Sequence, residues 1–518
     1  MITKIPKASR FPKGVAGAGK KTLASRIRKW SGRTFRFNLQ SFRLKDGVSL
    51  RRFTIVEGAF LLMLGLLASR FLGVGRQMFF NAIFGTGPQA TAYYAAYRLP
   101  DTLFNLISGG SLISAFVPVL LAYEQREGER EVWRLASLVF NVLLVAMTLL
   151  ILGAEYAVPT FVNKILVPGY PPSQQALTTS LTRIMLIMPL IQSLNAVLTA
   201  VLSYKRQFLL PAVSIAVYNF GMIGGLLVTL MVPSVGIYGP TCGVLVASLL
   251  QVAVQAPALL KQGVRYTFTW NILHPGLRQV LYLLIPNGLA VGVAYIGPIW
   301  ETHIVSFLPD PSSLAALNNA EMLWNVPLAL ISQSMAQSLL PMLSLHFTAS
   351  RYVRLRQTAL KVIGMSILLT VPAAIGLVIL GKPAITLIFQ HGAFTQHSSN
   401  LTGLALMGYA LALPGYAAGS LIASGFFALK DTLTPLCTNT FALISRISLL
   451  TVLPHMLPGQ VIILAVPLAL AGSATAEAIL MSLILLVRLS RRISKDKGMA
   501  RLQRRRLYQQ GIRVESKA

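Results

Sequence analysis

The sequence predicts an all-α polytopic membrane protein of about twelve transmembrane helices, arranged as two six-helix bundles related by a pseudo-twofold axis along the membrane normal. Three observations predict it. The 518 residues are 54% hydrophobic and only 12% charged, with a mean hydropathy of +0.64, a balance that a soluble domain of this size does not carry. Apolar stretches of about twenty residues or more, the length that spans a bilayer as helix, follow one another along the body. Short motifs of the first half then recur in the same order in the second.

The spans fall near 54–83, 89–122, 132–162, 174–203, 209–232, 236–260, 276–308, 313–346, 353–380, 397–427, 434–454 and 460–488. Basic residues should collect in every second connection, on the cytoplasmic side. Those connections carry Arg126, Arg130 and Arg134, then Lys205 and Arg206, then Lys261, Arg265 and Arg278, then Arg351, Arg354, Arg356 and Lys361, then Lys430. In the opposite loops the nearest basic residues are Lys164 and Lys382. Both termini are therefore expected in the cytoplasm, and the number of spans is expected to be even.

The repeat divides the body. Pro189 in LIMPLIQSLNAVL returns as Pro414 in LALPGYAAGSLI, and each precedes a basic residue, Lys205 and Lys430, by the same spacing. KRQFLLP answers LKDTLTP, SAFVPVL answers QSLLPML, and VWRL answers YVRL. The offset is roughly 220–225 residues, the mark of an internal duplication. Six spans per copy send both copies into the membrane in the same direction, with a substrate site between them near the midplane. The expected domains are a basic tail at 1–52, an N-terminal bundle at 53–270, a C-terminal bundle at 271–488 and a second basic tail at 489–518.

The formal net charge of +31 belongs largely to those tails. The first holds a single acid, Asp46, among its many lysines and arginines. Beside a bilayer such tails meet anionic lipid, each basic residue contributing on the order of 1 kcal/mol. No nucleic-acid partner is expected, because no folded recognition module accompanies the charge. Cys242 and Cys437 lie far apart in apolar stretches and are expected as buried thiols. The first span follows a long basic segment and carries Arg70, so it reads as a retained helix rather than a cleaved signal.

Arginines inside apolar spans mark function, because each charge at mid-membrane costs roughly 2.5–3.5 kcal/mol on insertion scales. Arg70, Arg76 and Arg98 lie in the first two spans. By helix rise, Arg70 is roughly 24 Å and Arg76 roughly 33 Å from the inner end of the first, and Arg98 is roughly 14 Å from the outer end of the second. Arg70 and Arg76 are about 120° apart in azimuth and share a face only if the helix bends at Gly73 or Gly75. Local pairing of Arg98 with Asp101 and snorkelling of Arg76 are the plain alternatives. Together, a guanidinium cluster matches a phosphate geometrically, which points to an anionic, phosphorylated substrate.

Glu301 is the corresponding feature of the second half. A carboxylate mid-span could bind a proton or Na+ and couple it to transport, or could pair with Arg446. Glu155, Arg183, Glu321, Arg446 and Glu477 are further cavity or interface candidates. Histidine spacing offers no metal site, and no cofactor is expected. The chain lacks a nucleophile elbow, a Walker loop and a carboxylate constellation. It reads as no enzyme, and its energy would come from an ion gradient, the membrane potential or downstream consumption.

SRFLGVGRQ at 69–77, IFGTGP at 83–88, AYRLPD at 96–101 and AFVPVL at 115–120 resemble the MurJ/MviN family of lipid II flippases, in the superfamily of multidrug and polysaccharide exporters. KRQFLLPA, FQHGAFT and LKDTLTP extend the resemblance over roughly 55–450. It implies movement of a polyprenyl-diphosphate-linked peptidoglycan precursor from the inner to the outer leaflet by alternating access. It also implies a bacterial cytoplasmic membrane location and contact with cell-wall synthesis proteins. Arg70 and Arg76 match cavity residues that meet the diphosphate, Arg98 matches a usually basic position, and Glu301 aligns near a carboxylate that joins a sodium site in some members.

The chain departs from the pattern at several positions. Gln77 and Thr91 stand where acids are common, Phe104-Asn105 where an arginine pair is expected, Gly109-Gly110 where Glu-Gly follows, and Glu321-Met322 where an acid-arginine pair is expected. About twelve spans are read where the family has fourteen. A lipid II flippase is thus the leading expectation. Its alternatives are a flippase for another lipid-linked polysaccharide, a multidrug exporter of the same superfamily, and a non-transporting membrane scaffold that recruits cell-envelope proteins.

Overall fold

Apolar runs of this length, with their polar backbone shielded from lipid only when hydrogen-bonded within the segment, fold as helices. A computed structural model of the chain describes residues 55–107, 111–261, 266–349 and 351–509. The tail at 1–52, Gly109, Gly110, Arg265 and the end of the C-terminal tail lie outside the described residues. The first half is built of α1 (Ile55–Phe84), α2 (Pro88–Ile107), α3 (Ser111–Glu127), α4 (Glu129–Phe161, continued by a π turn at Val162–Leu166), α5 (Pro172–Met185), α6 (Ile187–Tyr204), α7 (Leu209–Met231) and α8 (Tyr238–Lys261). The second half is built of α9 (Pro275–Val305), α10 (Ser313–Leu328), α11 (Ser334–Thr348), α12 (Tyr352–Phe389), α13 (Gln396–Ala428), α14 (Leu433–Met456) and α15 (Ala465–Gln509). A π turn, Ala329–Gln333, joins α10 to α11.

Among the described residues, 10 helical stretches are long and apolar enough to cross a membrane. They coincide with the third to twelfth expected spans. The first two expected spans are not among those 10; the first is helical as α1, and the second as α2 and α3 on either side of 108–110, which lie outside the described residues. The chain is a multi-pass helical membrane protein. Its outer surface bears many large apolar side chains, among them Phe71, Leu149, Leu152, Met231, Leu260 and Leu368, as a lipid-facing surface requires.

Cys242 and Cys437 belong to that surface. Both are free and exposed, contrary to the expectation of buried thiols. In a membrane body an apolar sequence context marks the lipid side as readily as the core, so hydropathy cannot assign burial there.

The repeat is visible in the backbone. Arg206 and Lys430 are the non-glycine residues with positive φ among those described, each at 59°. Arg206 N donates to Ser203 O (3.0 Å) and Gln207 N to Leu202 O (2.9 Å), while Lys430 N donates to Phe427 O (3.0 Å) and Asp431 N to Phe426 O (3.0 Å). Both α6 and α13 thus end in one left-handed cap, which satisfies their last carbonyls. The turn matches Lys430 with Arg206, one residue on from the Lys205 suggested by the sequence, where two adjacent basic residues made the register ambiguous.

The end of the body that carries the basic-poor loops is held together across the two halves. Ala393 N donates to Ala82 O (2.8 Å), Thr86 Oγ1 bonds Ser398 Oγ (2.7 Å), Thr91 Oγ1 donates to Pro311 O (2.8 Å) and Gly169 N to Ser306 Oγ (3.1 Å). Gly85 and Gly392, both at φ 59°, make this approach feasible, because a Cβ on Gly85 would overlap Ala393 O and one on Gly392 would overlap Ala82 O. An apolar cluster spanning Ala95, Val158, Leu166, Leu317, Phe389, Tyr409 and Leu470 lies beneath. Towards the opposite, basic end the core divides. One cluster joins α3, α4, α6 and the start of α9, and another joins α11, α12, α13 and α15.

Candidate functional site

Arg76 is carried by α1, which is pinned to α7: Ser69 Oγ donates to Ile215 O (3.2 Å), and Asn219 Nδ2 donates to Ser69 Oγ (2.9 Å). Helix α7 in turn meets α8 closely through Gly221, Gly225, Gly239 and Gly243, where any added Cβ would crowd the facing backbone or side chains. Such small-residue contacts let membrane helices approach without a side chain between them. The result is a cavity bordered by Arg76, Gln77, Phe80, Tyr93, Tyr94, Met222, Leu226 and Pro240. Arg76 is half-buried, and its Nη1 donates to Met222 Sδ (2.8 Å), a weak acceptor for a guanidinium.

Gln77, on the same cavity border, is bonded to the second half. Its Nε2 donates to Asn319 Oδ1 of α10 (2.8 Å), to Tyr94 Oη (2.5 Å) and to Asn81 Oδ1 (3.2 Å). Asn81 Nδ2 donates to the same Asn319 oxygen (3.0 Å). A buried carboxamide network therefore joins the two halves at the position where the resemblance leads to an acid. The two amides of α1 are one turn apart, a spacing the sequence displays without the third, distant amide that makes it a network.

Arg70 is exposed on α1, whereas Arg76 borders the cavity. Arg98, half-buried on α2, donates from Nε to Thr302 Oγ1 of α9 (3.3 Å). Asp101 accepts from Asn105 Nδ2 (3.0 Å) and lies within the field of Arg98. Tyr97 and Tyr218 meet hydroxyl to hydroxyl at 3.3 Å, and Tyr218 lies within the fields of Arg76 and Asp101.

Glu301 of α9, 3% exposed, accepts a charge-assisted bond from Arg446 Nη2 of α14. Its other oxygen is 3.5 Å from Tyr409 Oη of α13. Glu321 of α10 is close enough to feel Glu301, Arg98 and Arg446. Glu301 and Arg446 neutralise one another inside the apolar body, the condition for tolerating buried charge. The pairing with Arg446 is one of the two roles open to Glu301 in the sequence. Glu155 and Arg183 pair with each other at 3.6 Å, and Glu477 leaves Oε1 buried without a hydrogen-bond partner. Among the described residues no group of three His, Cys, Asp or Glu side chains could hold a metal.

A family model described as "Lipid II flippase MurJ" matches residues 80–506. The chain belongs to the MurJ family. The matched range includes Arg98, Glu301, Glu321 and Arg446 and begins just after Arg76. A probable lipid II flippase MurJ of Rhizobium meliloti (strain 1021) is 29% identical over 437 residues, covering 83% of this chain and 78% of that protein. The lipid II flippase MurJ of Burkholderia cenocepacia is 30% identical over 382 residues, 71% of this chain and 72% of that protein. Among solved structures, a lipid II flippase MurJ in an inward closed conformation superposes with a TM-score of 0.68 at 24% identity, over 83% of this chain and 91% of that one. An inward-facing multidrug resistance MATE transporter of the MOP superfamily superposes with a TM-score of 0.72 at 12% identity, over 82% and 96%. The fold is thus shared by MurJ and MATE proteins, and the sequence assigns this chain to MurJ.

Proposed function

We propose that this chain is a lipid II flippase of the bacterial cytoplasmic membrane. It moves a polyprenyl-diphosphate-linked saccharide from the inner to the outer leaflet by alternating access between an N-terminal bundle, 53–270, and a C-terminal bundle, 271–488. The observation that carries this reading is the match of residues 80–506 to the MurJ family. Arg76 supplies the chemistry, as a guanidinium on a cavity where a diphosphate oxygen would find a charge-assisted partner. Arg98 and the exposed Arg70 add positive charge along the path.

The orientation follows from the distribution of lysine and arginine, with both termini in the cytoplasm and the basic tails on anionic lipid. In that orientation the sealed end, with its bonds from Ala82 to Ala393 and Thr86 to Ser398, is the outer gate, and the divided end opens inward. Coupling to Na+ or to a proton at Glu301 requires the Arg446 pair to part during the cycle. A flippase for another lipid-linked saccharide is the second reading, favoured by the neutral Gln77–Asn319 network where the resemblance leads to acids.

The test is rescue of bacteria depleted of their own flippase, with lipid II in the outer leaflet as the readout. Growth with restored outer-leaflet lipid II is expected. A well-expressed chain that leaves lipid II inside removes the lipid II assignment, and one that also moves no other lipid-linked saccharide returns the scaffold reading.

A further inference from the structure

Two residues that border the cavity of the first half carry hydrogen-bond donors without suitable acceptors. Arg76 has its bond to the Met222 thioether, and no carboxylate among the described residues lies within ion-pair distance of it. Tyr93 borders the same cavity. Its ring is held by Phe80 (5.0 Å between centroids) and Tyr94 (5.6 Å), and its hydroxyl is buried with no hydrogen-bond partner. The Arg76 charge acts on that hydroxyl. Neighbouring Tyr94 differs, because its hydroxyl already accepts from Gln77.

Buried hydroxyls are nearly always paired, and an unpaired one on a residue that borders a cavity points to an acceptor entering there. The guanidinium on the same cavity, bonded to a thioether rather than to a carboxylate, makes an anion the fitting acceptor. Gln77 completes the arrangement by what it lacks. A carboxylate at that position would compete for Arg76, whereas the amide is committed to Asn81, Tyr94 and Asn319.

We propose that Tyr93 is a specificity-determining residue of the anion site, its hydroxyl and the Arg76 guanidinium together binding a phosphoryl oxygen of the lipid-linked diphosphate. The proposal rests on the flippase reading for the source of that phosphate. The shared chemistry is a phosphoryl oxyanion, and the experiment separates the free ion from the lipid.

Full-length protein in detergent is titrated with inorganic diphosphate, and in vesicles with lipid II, as wild type, Tyr93→Phe, Arg76→Gln and Tyr170→Phe. Tyr170 is the control: its buried hydroxyl is also unpartnered, but burial is the influence acting on it, and it does not border that cavity. Loss of one hydrogen bond to a charged group should weaken diphosphate binding about tenfold in Tyr93→Phe. Arg76→Gln should lose it with the hydroxyl retained, and Tyr170→Phe should match wild type. Wild-type affinity in Tyr93→Phe, or no diphosphate binding by wild type, overturns the proposal. Diphosphate binding that depends on Tyr93 without lipid II movement by wild type keeps the site and removes the lipid II reading. Lipid II movement unaffected in Tyr93→Phe does the reverse.

Discussion

Arg446 on α14 donates to Glu301 on α9, so two charges that each demand an explanation inside an apolar body explain one another. Removing one partner strands the other. Arg446→Ala should destabilise the protein by about 3–5 kcal/mol, whereas the double variant Arg446→Gln, Glu301→Gln should recover a large part of the loss. Thermal unfolding in detergent measures both. Equal stability of the single and double variants would contradict the pairing. Replacing external Na+ by K+ should leave transport unchanged as long as the pair holds.

The carboxamides of Asn81 and Asn319 touch across the two halves, with Asn81 Nδ2 donating to Asn319 Oδ1 at 3.0 Å. Alternating access requires them to separate. Cysteines at these two positions should crosslink under oxidation, stop transport, and release it on reduction. Continued transport by a fully crosslinked protein would exclude this contact from the gate.

Gly392 sits at φ 59° with Ala82 O where its Cβ would be. Gly392→Ala should therefore cost about 1–3 kcal/mol, from the left-handed backbone and from the spread of the sealed end. A shift of the conformational balance should accompany it, seen as faster labelling of residues lining the seam. A variant as stable and as slowly labelled as wild type would show that the seam tolerates the extra carbon.

Asp431 caps α14, accepting from Leu433 N and Thr434 N (both 3.1 Å) and from Thr434 Oγ1 (2.7 Å), and it pairs with Arg488 of α15. Partial burial opposes its charge, but the Thr434 hydrogen bonds and the Arg488 guanidinium hold its carboxyl below the usual range. A group with a lowered native pKa stabilises fully above its unfolded value, about 3.9, and loses that contribution as the pH falls through the native value. Asp431→Ala should cost about 1 kcal/mol at neutral pH. The difference from wild type should shrink as the pH drops below about 4, measured by unfolding across a pH series.

Ten spans and the helical class were legible because hydropathy reports them residue by residue. Register within the repeat was legible to within one residue, Lys205 against Arg206, and the hydrogen bonds of the turn decided it. The partner of Arg76 was not legible. Met222 lies in a uniformly apolar run, and its sulfur becomes an acceptor only because the glycines of α7 and α8 fix where that run packs. Glu301 was legible as an anomaly, and Arg446 as one candidate partner, but sequence gives no azimuth between distant helices. The Gln77–Asn81–Asn319 network was half visible, as two amides a turn apart on α1. Its third member needed the tertiary contact.

The exposed thiols make the molecule convenient to observe. Cys242 stands on α8 in the first half and Cys437 on α14 in the second. A lipophilic donor dye and acceptor dye attached to these native side chains would report the distance between the halves by fluorescence, with no residue of the cavity altered. The same pair must be replaced by serine before any engineered crosslink is read, or the native sulfurs will answer in its place.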